Sequence, residues 1–168
     1  MAETELRKYA VVEKLNKMDV DLLTVAPDIA EATYSTGDLM CENISISNAG
    51  AVLGGSCILQ SITAVDTSDT GGTIYVIITD TNAVDLGTVG SAINAADAVA
   101  DNSVAIVELS NWTDVGGAKV ATKANIGLVM KCTNTSKTLK MGVVNVSGGD
   151  IVIGSGEDII FKFGVVKD

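Results

Sequence analysis

The stretch SCILQSITAVDTSDTGGTIYVIIT, Ser56 to Thr79, decides the fold. It holds two runs rich in Ile and Val, Ser56 to Val65 and Thr73 to Thr79, on either side of Asp66-Thr67-Ser68-Asp69-Thr70-Gly71-Gly72. β-Branched and aromatic residues suit a pleated, half-buried surface, and a cluster of Asp, Ser, Thr and Gly between such runs reads as a turn. The first run is expected as a central strand, because Cys57-Ile58-Leu59 are consecutively apolar. The second is expected to return beside it as a β-hairpin.

The same pattern extends in both directions. Upstream, Met40, Glu42, Ile44 and Ile46 alternate with Cys41, Asn43, Ser45 and Ser47, a strand with one mostly apolar face that ends at Asn48-Ala49-Gly50. Downstream, strands are expected over Ser103 to Leu109, Trp112 to Ala121 (with Gly116-Gly117 as a bend), Asn125 to Cys132, Thr138 to Val146 and Asp158 to Val166. Ile151-Val152-Ile153 adds a short rung, and residues 80 to 102 read as a long loop with a helical turn around 94 to 99. About eight strands at this spacing predict a mainly β domain over residues 37–168, an antiparallel β-sandwich or β-barrel of jelly-roll-like type.

Residues 1–36 read differently. Leu6, Tyr9, Val12, Leu15 and Met18 recur every three residues, and Glu3, Glu5, Arg7, Lys8, Glu13, Lys14 and Lys17 fill most of the positions around them. That predicts a short amphipathic helix, followed over 19–36 by a connector with the chain's only proline, Pro27. Helix and connector make an N-terminal arm, and an arm with an apolar side needs a surface to lie on: its own barrel or an adjacent subunit.

Charge narrows the function. The 168 residues carry a net charge of −10 and no histidine. Between Glu31 and Ala118 there are eleven Asp or Glu and no Lys or Arg, whereas Lys119 to Asp168 holds seven lysines against four acids. Arg7 is the single arginine, so the basic groove that a nucleic-acid backbone requires is missing. Without histidine there is no Ser-His-Asp triad, Cys-His pair or imidazole ligand set. The N-terminus has no signal-like apolar stretch, and no apolar run is long enough to span a bilayer. Cys41, Cys57 and Cys132 are widely spaced and odd in number, which favours reduced, buried cysteines.

Few residues suggest chemistry. Asp66, Ser68, Thr70 and Gly71 match part of an EF-hand spacing, but Ile77 stands where the loop's closing glutamate belongs, so an ordinary polar turn is the better reading. Asp80, Asp85, Asp97, Asp101, Glu108 and Asp114 are candidates for a cation cluster at one end of a barrel, with a solvated acidic rim as the plain alternative. The Gly-Gly pairs lack the lysine and helix start of a phosphate-binding loop. Trp112, the only tryptophan, is expected as a core or barrel-end plug, or as an interface anchor. No catalytic residue and no cofactor is expected.

Several of these segments together resemble a known family. They are Gly54-Gly55 leading into Leu59-Gln60-Ser61-Ile62-Thr63-Ala64-Val65-Asp66, the run Thr73 to Thr79, Asp85-Leu86-Gly87-Thr88, and Asn94-Ala95-Ala96-Asp97-Ala98. Val120-Ala121-Thr122-Lys123-Ala124-Asn125-Ile126-Gly127-Leu128-Val129 and the closing Ile160-Phe161-Lys162-Phe163-Gly164 complete the set. In that order, across residues 37–168, they resemble the capsid decoration, or cement, proteins of tailed phages. The resemblance implies a non-enzymatic virion protein, made in the host cytoplasm and carried on the outer surface of the capsid. It implies a homotrimer that bridges neighbouring subunits of the major capsid protein and opposes internal pressure. Contacts would fall on Leu6, Tyr9, Val12 and Leu15 of the arm, on loop 82–101 and on Trp112. Rival roles are a head-fibre base or tail-tube component, a carbohydrate- or calcium-dependent adhesion module, and a carboxylate enzyme.

Overall fold

The computed structural model describes residues 19–80, 85–94, 103–154, 156 and 158–167. The helix expected within residues 1–18 lies outside them, as does the helical turn expected after Asn94. The described chain is antiparallel β throughout. Its strands are β1 (Asp19–Val25), β2 (Ala32–Tyr34), β3 (Leu39–Ile46), β4 (Ser56–Asp66), β5 (Ile74–Thr79) and β6 (Ser103–Leu109). There follow β7 (Trp112–Asp114), β8 (Lys119–Lys131), β9 (Leu139–Asn145), β10 (Ile151–Ile153) and β11 (Ile159–Lys167).

Pairing is nested. β1 pairs with β11, β2 with β10, β3 with β9, β4 with β8, and β5 with β6. The chain is thus one long hairpin whose tip is the β5–β6 connection. Rolling that hairpin up brings β11 against β4 and β9 against β5. Two sheets result, ordered β1-β11-β4-β8-β7 and β3-β9-β5-β6, with the two-stranded β2–β10 ladder beside them. This is the strand order of a jelly-roll sandwich. Strand directions place the β3–β4, β5–β6 and β8–β9 connections at one end, where Asp19 pairs with Lys167; we call it the terminal end. The β4–β5, β7–β8 and β9–β10–β11 connections lie at the other, the hairpin end.

Three expectations change. Ser56–Asp66 and Ile74–Thr79 do not form a hairpin: β4 lies in the five-stranded sheet and β5 in the four-stranded one. The Asp66–Gly72 turn carries the chain from one sheet to the other, which local sequence cannot distinguish from a hairpin turn. Residues 112 to 121 are two antiparallel strands and a tight turn, with Gly116 and Gly117 both at positive φ and Val115 N–H bonded to the Ala118 carbonyl at 3.0 Å. The stretch 119–131 is then one strand where two were expected. The connector expected over 19–36 contains β1 and β2, because β1 supplies a full ladder to β11.

Between the sheets lies the main core, with Leu59, Ile62, Ala64, Phe161, Phe163, Val76, Ile78, Met141 and Val143 all buried. β4 is central, as expected. Its burial alternates, then changes phase at Gln60, opposite which β8 carries three residues, Asn125, Ile126 and Gly127. Asn125 and Gly127 take positive φ, so this bulge resets the register and keeps Cys57, Leu59, Ile62 and Ala64 all facing inward. The consecutive apolar residues of β4 therefore reflect an apolar outer face at Ile58, not burial on both sides.

Candidate interaction surface

Polar side chains that the sequence offered as site candidates mostly hold turns. The carboxylate of Asp66, itself buried, accepts hydrogen bonds from Ser68 N–H at 2.9 Å, Ser68 Oγ at 2.6 Å and Gly71 N–H at 2.7 Å. Lys119 Nζ donates to the Thr70 carbonyl at 2.9 Å and closes the same turn. Both carboxylate oxygens thus serve the turn's own donors, which fits the polar-turn reading. Asp85 and Asp114 make similar local bonds to Gly87 and Gly116 N–H. Asp80 follows β5 at the terminal end and Asp114 closes β7 at the hairpin end, so the six acids proposed as one cluster do not meet; Asp97 and Asp101 lie outside the described residues.

The cysteines are buried and reduced, as the sequence suggested. Burial pushes the Cys41 thiol up to about 12 and the Cys57 thiol up to about 11, and raises that of Cys132. Such thiols stay protonated and pack as small hydrophobes.

Trp112 sits at the hairpin end, half-buried against the main core. Its indole N–H donates to the Gly72 carbonyl at 2.6 Å. The ring thereby pins the turn after β4 to the β7–β8 hairpin. Leu6, Tyr9, Val12 and Leu15 lie outside the described residues.

Residues 85–94 of the long loop have a defined place. Leu86 is buried in a second, small core with Leu39, Ile77 and Val144, on the outer face of the four-stranded sheet. It fits there because position 142 is glycine: a Cβ on Gly142 would collide with Leu86 Cδ1. Leu86 N–H donates to Glu42 Oε2 at 2.8 Å, and further along Leu39 N–H donates to the Ser91 carbonyl, Gly90 N–H to the Leu39 carbonyl and Ile93 N–H to the Gly37 carbonyl. Residues 85–94 therefore form an extra layer, with Val89 and Ile93 on its exposed side. This layer also explains why β5 is buried on both faces from Val76 onward.

A feature the sequence reading missed lies on the outer face of the five-stranded sheet. Val20 pairs with Val166, Val166 with Ile58, and Ile58 with Val129. Residues directly opposite across antiparallel strands share a face. The four side chains therefore form one apolar row across β1, β11, β4 and β8, with Val20 81% and Val129 66% exposed at its ends. Leu22 extends it on β1, and Val52 and Leu53 of the β3–β4 connection stand exposed at the same terminal end. The alternation of β11 and the valine of β8 were visible, but only the register aligns them.

Three lysines of the basic segment are occupied internally. Besides Lys119, Lys140 Nζ bonds the Asn43 carbonyl and Ser45 Oγ, and Lys167, nearly buried, pairs with Asp21 at 2.7 Å. The hydrogen bond from Lys167 holds the Asp21 carboxyl below its ordinary range, with a smaller opposing effect of burial. A carboxylate depressed in the folded state stabilises the fold above its unfolded pKa, and that contribution disappears as pH falls through the folded value. Denaturant stability is accordingly expected to drop below about pH 4, and Asp21→Asn should flatten that acid limb. An unchanged pH profile in Asp21→Asn would mean that the ion pair contributes nothing to holding β1.

No protein-family model and no curated protein matches the chain. Among solved structures, the capsid of Ralstonia phage GP4 is similar over 89% of this chain and 85% of that chain, with 22% identity and a TM-score of 0.45. The structure of a marine algae virus of the order Picornavirales aligns over 89% of this chain and 68% of that chain, with 15% identity and a TM-score of 0.22. At such identities and scores neither likeness bears on what the chain does.

Proposed function

We propose that this protein is a structural component of a virus particle, a decoration protein that binds the outside of an assembled capsid and stabilises it by bridging neighbouring major capsid subunits. The observation that carries the reading is the pair of exposed apolar side chains Val52 and Leu53 at the terminal end of a sandwich whose turns are tied down by their own polar groups. Exposed apolar residues on a rigid frame suit a lasting contact with another surface. The resemblance of segments 54–66, 73–79, 85–98, 120–129 and 160–164 to cement proteins supports a capsid as that surface. In the fold these segments include β5, most of β4 and β8, the first half of β11, and part of the loop that packs over the four-stranded sheet. A trimer would multiply a modest contact by simultaneous engagement.

The test has two stages. Light scattering of the purified chain over a range of concentrations, with and without calcium, is expected to report a trimer indifferent to the ion. Co-sedimentation with assembled capsid shells lacking the protein is expected to show saturable binding, lost in Leu53→Asp without a change in melting temperature. Rings or filaments would point instead to a tail component, and a calcium-driven change to an adhesion module. Failure of the native protein to sediment with shells would overturn the proposal.

A further inference from the structure

We infer that the open edge of β1 takes up an extended segment of the shell subunit as a further strand of the five-stranded sheet. That segment carries apolar residues at alternate positions and a lysine or arginine beside Asp21. The inference rests on the particle reading and says how the shell is gripped.

Four strands end the two main sheets: β1 and β7 in one, β3 and β6 in the other. Natural edges are blunted by shortness, bulges or charge, because a row of free N–H and C=O groups invites another chain. β7 has only three residues, and β3 breaks register twice against β9. β6 shifts register at its start and carries the exposed Glu108. β1, by contrast, keeps seven residues in unbroken register with β11. It has no proline, and Lys167 neutralises its Asp21. Val20, Asp21, Leu22 and Thr24 are all exposed, so none of the described residues covers this edge.

One edge N–H shows which groups face outward. Leu22 N–H donates to Oδ1 of the neighbouring Asp21 at 2.8 Å, in an exposed bond. A bond to that side chain, out in solvent, turns this N–H away from β11. Antiparallel ladders alternate, so Val20 and Thr24 also turn their backbone groups outward, while Asp21 and Leu23 face β11. Val20, Leu22 and Thr24 thus offer donors and acceptors at two-residue spacing, which is what an added strand pairs with.

The neighbours of such a strand select its side chains, which alternate between the two faces of the sheet. On one face they stand beside Val20 and Leu22, 81% and 60% exposed, and extend the apolar row through Val166, Ile58 and Val129. Apolar residues suit those positions. On the other face they stand beside Asp21. A carbonyl of the added strand would take over the Leu22 N–H and release Asp21 Oδ1, while Oδ2 keeps Lys167 at 2.7 Å. The released oxygen accepts from a cation, which places the lysine or arginine. A second copy of β1, Asp-Val-Asp-Leu-Leu-Thr-Val, has no basic residue to offer there. The edge begins at the terminal end, where Val52 and Leu53 are exposed, so one shell subunit can meet both.

Leu22→Pro tests the contact. Proline is tolerated on an edge strand where the N–H it replaces faces outward, so the melting temperature is expected to hold. Affinity in co-sedimentation with shells lacking the protein is expected to fall about tenfold, the scale of a lost interfacial hydrogen bond. Leu22→Ala, which keeps the N–H, should weaken binding less. Asp21→Asn should also weaken it and reduce its sensitivity to salt. Should Leu22→Pro lower the melting temperature, amide exchange in the native protein reads the same contact. Leu22 N–H is expected to exchange about tenfold slower, or more, on the shell than in the free chain. Native protein that fails to sediment with shells overturns this inference together with the particle reading. Native binding with folded Leu22→Pro at full affinity, or with Leu22 exchange unchanged on the shell, overturns the inference alone. A Leu22 amide already protected in the free chain would assign the edge to its own N-terminal residues or to another copy, and equally overturns it.

Discussion

Phe161→Ala is expected to destabilise the fold by about 3–5 kcal/mol, the cost typical of emptying an aromatic site in a packed core. Phe161 lies on β11 between Val25 of β1 and Ala64 of β4, with no exposed surface. Its small neighbour Ala64 leaves room for the ring, and Phe163 stacks beside it with centroids 6.4 Å apart. β11 is also the strand that closes the rolled hairpin onto β4. Truncation therefore opens a cavity where two sheets are held apart by rigid ladders, and neither can collapse into it freely. Urea unfolding monitored by tryptophan fluorescence measures the loss. A cost below about 1 kcal/mol would mean that the sheets close over the gap, against the behaviour of close-packed interiors.

Asn145→Ala should have a comparable effect by a different route, about 3 kcal/mol from unsatisfied buried polar groups. The side chain is fully buried at the hairpin-end terminus of β9. Its Nδ2 donates to the carbonyls of Tyr34 at 2.7 Å and Gly149 at 2.8 Å. Its Oδ1 accepts from Ser147 N–H at 2.9 Å and Ser147 Oγ at 2.7 Å. One amide thus ties β2 to the β9–β10 connection and shapes the turn Ser147-Gly148-Gly149. Alanine strands the Tyr34 carbonyl in a dry site. Amide exchange should speed selectively at Gly37 and Val146, whose N–H groups bond the Asn145 and Thr73 carbonyls at this end. Asn145→Asp keeps both acceptor bonds but buries a charge and loses both donors, so it should rescue little. Exchange that rises uniformly across the molecule would mean that Asn145 supports global stability without acting as a local tie.

Legibility was uneven for physical reasons. Residues 39–46, 103–109, 139–145 and 159–167 were readable as strands because their own burial alternates or their apolar density is high. β1 was not readable, because Val20 and Leu22 are apolar yet exposed and the Asp21 between them is charged and exposed too, so no apolar–polar alternation marks its buried side. Its pattern makes sense only beside Lys167, a residue 146 positions away that neutralises Asp21. Leu86 had no periodic signal at all, since one buried side chain in a loop has no period. Its socket is the missing side chain of Gly142 on another strand.

By itself the sequence determined the β class, the absence of histidine chemistry, the polar turn at 66–72 and the inert character of the cysteines. Each follows from residue type or from spacing within a few positions, where sterics and solvation act locally. Only the tertiary structure decided that β4 and β5 belong to opposite sheets, that the loop 85–94 makes a second small core, and that four strands align Val20, Val166, Ile58 and Val129 in one row. Those depend on which strand bonds to which, and backbone hydrogen bonds are the same for every residue. Partner choice is settled by the closure of the whole roll, when all inward faces are buried at once.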